Sequence, residues 1–202
     1  LWRPHTKGIK TPAIVHKLLA AGALGITCAK LGEAEVMAAA GVTDILIANQ
    51  VVGAQKITRL ANLRRHADVK VAVDNADVVA AMGAAARAKG VELGVVVEVN
   101  TGMERAGVLP GAPTVALARL AHETPGVRLR GLMTWEGHTL ASVDPDEKQR
   151  GIHKSIRMLL ESVETCRRAG LPGEVVSCGG SGTYIITTTI PVITQIHARG
   201  GL

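Results

Sequence analysis

The 202-residue sequence carries 23 Lys and Arg against 17 Asp and Glu, a formal net charge of +6, and 47% of its residues are apolar. That length allows one domain with a sizeable core, somewhat short of the roughly 250 residues usual for a complete (β/α)8 barrel. The basic residues are dispersed and no basic run is interleaved with aromatics, which argues against nucleic acid as a partner; no apolar stretch reaches the roughly 18 residues of a membrane span and no signal-peptide pattern opens the chain, so no membrane partner and a cytoplasmic location are expected.

The apolar residues are almost wholly Ala, Val, Leu and Ile, with Trp2, Trp135 and Tyr184 the only aromatics. Such small branched side chains suit a layered barrel interior. In chain order, a strand at about 1–4 precedes a helix at 12–22; then come strand 25–29, helix 31–41, strand 44–48, helix 53–66, strand 69–74 and helix 76–90. Strand 93–99, helix 112–123, strand 127–134, helix 146–169 and strands 174–178 and 192–198 complete the series. Short Val/Ile/Leu runs alternating with longer Ala-rich helical patterns are the sequence form of repeated βα units with parallel strands. Gly22, Gly41, Gly90 and Gly170 stand where left-handed helix stops are expected.

No G-x-G-x-x-G follows the first strand, so a dinucleotide fold is disfavoured and an α/β fold of the (β/α)8 (TIM) barrel type is expected. It would occupy residues 1–202 as one domain, truncated at both ends because the first strand opens the chain and the last nearly closes it. Cys28, Cys166 and Cys178 are odd in number and show no C-x-x-C spacing, which argues against a disulfide scaffold or a structural zinc site.

In a barrel the site is built on the C-terminal ends of the strands. Reading each strand to its end yields His5 and Lys7, Lys30, Asn49 and Gln50, Asp74 and Asn75, Asn100 to Arg105, Glu136 and His138, Ser177 to Thr183, and His197 with Arg199. That rim is cationic and amide-rich and suits a small anionic ligand. Within it, Gly179-Gly180-Ser181-Gly182-Thr183 directly follows a buried strand. Glycines there let successive N–H groups converge on a phosphate, with Ser and Thr hydroxyls as further donors, although a tight surface turn has the same composition. The G-x-x-x-x-G-K-[ST] pattern is missing, so a nucleotide triphosphate is not indicated.

Arg3-Pro4-His5-Thr6-Lys7 resembles the first-strand motif of the alanine racemase-like barrel enzymes that use pyridoxal phosphate, in their D-threonine aldolase and D-serine dehydratase branch. Similar segments are 47–53 after the third strand, 100–108 (Asn-Thr-Gly-Met-Glu-Arg-Ala-Gly-Val) after the fifth, Met133 to His138 after the sixth, and Thr194 to Ala198 in the last. The resemblance implies pyridoxal 5'-phosphate as cofactor, Lys7 as the residue that carries it, with His5 beside it in the same motif, and Arg105 at its phenolic oxygen. It further implies that Gly179, Gly180, Ser181, Gly182 and Thr183 hold its phosphate, and that His197 lies near its pyridine nitrogen. The family's C-terminal β domain, which supplies ligands for a divalent metal (Mn, Mg or Zn), is absent from this sequence, and no metal ligands are assigned in it.

The implied reaction is a lyase cleavage of a small D-β-hydroxy amino acid, D-threonine aldolase-like, to glycine and an aldehyde. A D-serine or D-3-hydroxyaspartate dehydratase, a racemase and a non-catalytic cofactor-binding barrel are the alternatives, and a homodimer stays open. A lysine partly buried on a cationic rim has its ammonium form disfavoured, and the neutral amine is what condenses with an aldehyde. Lys10 and Lys30 compete on the same rim; the motif selects Lys7. Glu136 and His138 are the expected bases near the substrate β-hydroxyl, with a helix-capping carboxylate and a structural histidine as the plain readings.

Overall fold

The structure, a computed structural model, describes residues 1–198. Its sheet has seven strands in sequential order, all parallel: β1 (Ile26–Cys28), β2 (Asp44–Gln50), β3 (Asp68–Val73), β4 (Leu93–Glu98), β5 (Val127–Met133), β6 (Val175–Cys178) and β7 (Gln195–Ile196). Helices α1 (Pro12–Ala20), α2 (Leu31–Ala39), α3 (Ala54–Leu63), α4 (Ala76–Lys89), α5 (Ala112–Glu123), α6 (Pro145–Arg168) and the single turn α7 (Tyr184–Thr187) cross between them. Sequential parallel pairing with a helix in the crossovers makes a curled α/β sheet covered on its outer face.

Period-two alternation along the strands sorts the core into two sets. Ile45 and Ile47, Val71 and Val73, and Val95 and Val97 join the large cluster under the helices, together with Met82, Leu60 and Ile156. Their neighbours Leu46, Ala72 and Val96 pack with Met133 and Val175 on the inner face. One step toward the strand starts, that inner face is ionic. Lys70, 3% exposed, donates to Asp44 and Asp68 at 2.8 Å each, and the buried Arg3 donates to Asp44 Oδ1 at 2.8 Å and to Gln195 Oε1 at 2.9 Å. One step toward the strand ends, the same parity brings Glu98, Ser177 and His197 to the inner face. The site sits on that side.

The first expected strand, 1–4, is not one of the seven. It is held by single-residue bridges, Trp2 with Ile196 and His5 with Thr27. Arg3 N–H donates to Ile196 O at 3.0 Å and Thr27 N–H to Pro4 O at 2.9 Å, so the segment runs between β7 and β1. The last expected strand, 192–198, contracts to two residues, Gln195–Ile196; ahead of it Thr194 meets Val176 through both its backbone N–H, 2.9 Å from Val176 O, and its side chain. The helix stops stand as expected; Gly90, past α4, adopts φ 64° and ψ 36°. Arg199, placed on the rim by sequence, lies outside the described residues.

Candidate active site

A cavity of about 340 Å³ opens at the C-terminal ends of the strands. Its lining comes from eight separate stretches of chain: His5 and Lys7, Ala29 after β1, Ala48 and Asn49 in β2, Glu98 and Arg105 around the end of β4, Met133 to Trp135 at the end of β5, Leu140, Gly179 to Gly182 after β6, and His197 after β7. A crease of about 470 Å³ along α6, between Asp146 and Arg157, is lined by exposed side chains of that helix alone and encloses no buried polar group.

Lys7 lies exposed in a 3-10 turn, Thr6–Gly8, whose preceding residue His5 accepts the Lys7 N–H on Nδ1 at 3.3 Å. The turn is pinned from beneath: the buried Thr6 hydroxyl meets a Glu33 carboxylate oxygen at 2.5 Å, and the other oxygen accepts Ala29 N–H at 2.6 Å. Lys10 and Lys30, the competing lysines, do not line the cavity.

His197 is 9% exposed and sits between two hydroxyls, with Thr27 Oγ1 2.7 Å from Nδ1 and Ser177 Oγ against Nε2. Burial, with the nearby charges of His5, Arg3 and Lys7, pulls its pKa from 6.5 to about 3, so the ring is neutral at physiological pH.

Glu98 was not singled out in the sequence, although its parity with Val96 on β4 already turned it inward. It is 4% exposed, accepts Gln50 Nε2 at 2.6 Å, and stands 3.9 Å from the Arg105 guanidinium. Burial pushes its carboxyl up, against the pull of Gln50 and Arg105.

Glu136 and His138 do not line the cavity. Glu136 is fully buried behind the glycine loop, where burial raises its pKa; its oxygens accept the Thr183 hydroxyl at 2.6 Å and Gly179 N–H at 3.3 Å. The His138 ring packs on Gly102 and approaches Ser155 Oγ at 3.4 Å through Nε2, while its buried Nδ1 has no partner among the described residues.

The loop itself is pressed flush against the protein. A Cβ on Gly180 would stand 2.4 Å from the rigid Trp135 ring, so packing demands glycine there; one on Gly182 would stand 2.6 Å from a methyl of the exposed Leu140, which is free to turn aside. Ser181 and Gly182 are exposed at the tip and line the cavity, whereas Thr183 is buried beneath it. Among the described residues, no group of three or more His, Cys, Asp or Glu could hold a metal ion. Nor is any described helix long and apolar enough to cross a membrane.

The chain is 35% identical over 196 residues to a D-threonine aldolase of an Arthrobacter species, covering 97% of this chain and 52% of that protein. It is 34% identical over 200 residues to a D-threo-3-hydroxyaspartate dehydratase of a Delftia species, again covering 97% of this chain and 52% of the other. The crystal structure of D-threonine aldolase from Filomicrobium marinum superposes with a TM-score of 0.95 at 36% identity, over 98% of this chain and 53% of that one. The chain thus spans about half the length of the curated relatives it matches. The pattern of the family described as alanine racemase, N-terminal domain, matches residues 5–197, nearly the whole length that builds the sheet and the cavity, and the chain belongs to that family.

Proposed function

We propose that this chain is the cofactor-binding barrel of a pyridoxal-phosphate-dependent lyase that cleaves small D-β-hydroxy amino acids, D-threonine to glycine and acetaldehyde. The observation that carries the reading is the convergence of Lys7, Arg105, the glycine loop and His197 on one cavity at the strand ends. The likeness to D-threonine aldolases supports the choice of reaction. In the same reading the segment 1–5, bridged to β7 and β1, serves as an eighth strand that closes a (β/α)8 barrel.

The residues present fit the cofactor. The cavity volume falls in the range of small-molecule sites, an exposed lysine reaches it, and a loop pressed to bare glycine lines one wall. Lys7 would offer its amine to the aldehyde, Ser181 and Gly182 would hold the phosphate, and Arg105, steadied by Glu98, would face the phenolic oxygen. His197, neutral and fixed by two hydroxyls, would give the ring an uncharged neighbour. When bound, the group supplies an electron sink for charge left at the substrate Cα.

Glu136 and His138 stand outside the cavity lining, and neither is given the β-hydroxyl proton. The divalent metal implied by the resemblance finds no ligand set among the described residues. A cytoplasmic setting accords with three free, buried cysteines.

The test is to incubate the full-length protein with pyridoxal phosphate and with D-threonine, D-serine and their L-forms. Glycine with acetaldehyde from D-threonine is the expected result. Accumulation of a 2-keto acid would favour the dehydratase, and turnover of L-substrates alone would overturn the reading.

A further inference from the structure

Glu136 has no ion pair among the described residues, although a buried carboxyl in a protein interior costs several kcal/mol unless its oxygens are satisfied. Its two partners both come from one loop. Oε2 accepts Gly179 N–H directly, and Oε1 accepts the Thr183 hydroxyl, whose own oxygen accepts Gly180 N–H at 2.9 Å. The first two amides of the loop are therefore turned back toward Glu136, one directly and one through a hydroxyl relay. The stretch that remains exposed and lines the cavity is Ser181 and Gly182.

We propose that Glu136 is a positioning residue for anion binding: by holding Gly179 and Thr183 it sets the loop conformation that presents Ser181 and Gly182 to a phosphate. This rests on the reading of the cavity as a pyridoxal phosphate site. Other contacts hold the loop as well: the Thr183 and Tyr184 N–H groups donate to Gly180 O at 3.0 and 2.9 Å, closing a turn around Ser181 and Gly182. His197 N–H donates to Gly179 O at 3.1 Å, and Gly180 lies against the Trp135 ring. Among the described residues outside the loop, Glu136 alone accepts from both its first and its last residue. In Glu136→Gln the amide keeps the shape of the side chain but offers one acceptor where the carboxyl offers two: its N–H₂ either faces the Gly179 N–H, which breaks that bond, or faces Thr183 and forces the hydroxyl to turn from Glu136 toward Gly180 O, 3.4 Å away, so the hold on one end of the loop is weakened.

The experiment measures equilibrium binding of pyridoxal phosphate, of pyridoxal without the phosphate, and of inorganic phosphate as a competitor, to the unaltered protein and to Glu136→Gln. The variant is expected to bind pyridoxal phosphate about tenfold more weakly, to compete less well with inorganic phosphate, and to bind pyridoxal unchanged. Equal weakening of both aldehydes, or of neither, would overturn the role given to Glu136. Should Glu136→Gln not fold, Thr183→Val against Thr183→Ser carries the same contrast: valine should lose the preference for the phosphorylated ligand, serine should keep it, and equal behaviour would overturn the proposal. Failure of the unaltered protein to bind pyridoxal phosphate at all would instead sink the reading of the site and the proposal with it.

Discussion

At the residue scale, His197 shows how a cavity wall is made and what it costs. Its ring is kept neutral by burial between Thr27 and Ser177, with a pKa of about 3 against 6.5 in an exposed chain. Between those values the unfolded chain binds a proton that the folded protein refuses, so this group's contribution is intact above pH 6.5 and is lost as pH falls. The loss approaches about 1.4 kcal/mol per pH unit inside that window. Glu98 and Glu136, raised by burial, act with the opposite sign, so the histidine must be read by difference. Urea unfolding at pH 6.5 and pH 5 should show a smaller acid-induced loss for His197→Asn than for the unaltered protein; identical losses would remove the effect from His197. Lys7 gives a second prediction at this scale. Borohydride reduction with pyridoxal phosphate followed by peptide mass mapping should find the pyridoxyl adduct on Lys7 and none in Lys7→Ala, and an adduct on Lys10 or Lys30 would sink the assignment.

Among the elements, β5 carries the local feature that sequence pattern conceals. Its register with β4 slips by one residue, Val95 pairing with Leu129 and Val96 with Gly131, so Arg130 is the extra residue of a bulge. The bulge turns Arg130 toward Asp68 and Glu174 and puts Gly131 at φ 145°, where a Cβ would stand 1.9 Å from Val175 O. Gly131→Ala is expected to destabilise the protein by about 3 kcal/mol or more, since backbone strain adds to a backbone clash; a urea midpoint within experimental error of the parent would contradict this. A run such as Val127 to Met133 reads as a strand from composition alone, but which residue is skipped depends on the strands it lies between. The 3-10 turn Gly137–Ala141 and the single turn α7 were likewise illegible, because segments this short have no periodicity to read.

On the scale of the whole molecule, the ends of the chain meet through Arg3. Its guanidinium joins Asp44 of β2 and Gln195 of β7, while its backbone donates to Ile196. Arg3→Met removes the guanidinium contacts, leaving the backbone bond, and is expected to speed hydrogen exchange at the Thr27 and Ile196 amides, which donate to Pro4 O and Leu1 O, more than at the amides of β3 and β4. Uniform acceleration would mean global destabilisation rather than an opened seam. The amino-acid sequence by itself determined the βα alternation, the parallel strands, the helix stops at Gly22, Gly41, Gly90 and Gly170, and the collection of polar groups at the strand ends, because these follow from local periodicity and from the backbone needs of single residues. Only the tertiary structure decided which polar groups face the cavity. Glu98 and Glu136 both stand near the ends of strands, yet one lines the cavity beside Arg105 and the other is buried behind the glycine loop. Glu136 is held by partners 43 and 47 residues away and Glu98 accepts from one 48 residues away, and no spacing along the sequence encodes a contact between segments that meet only when the strands are in register.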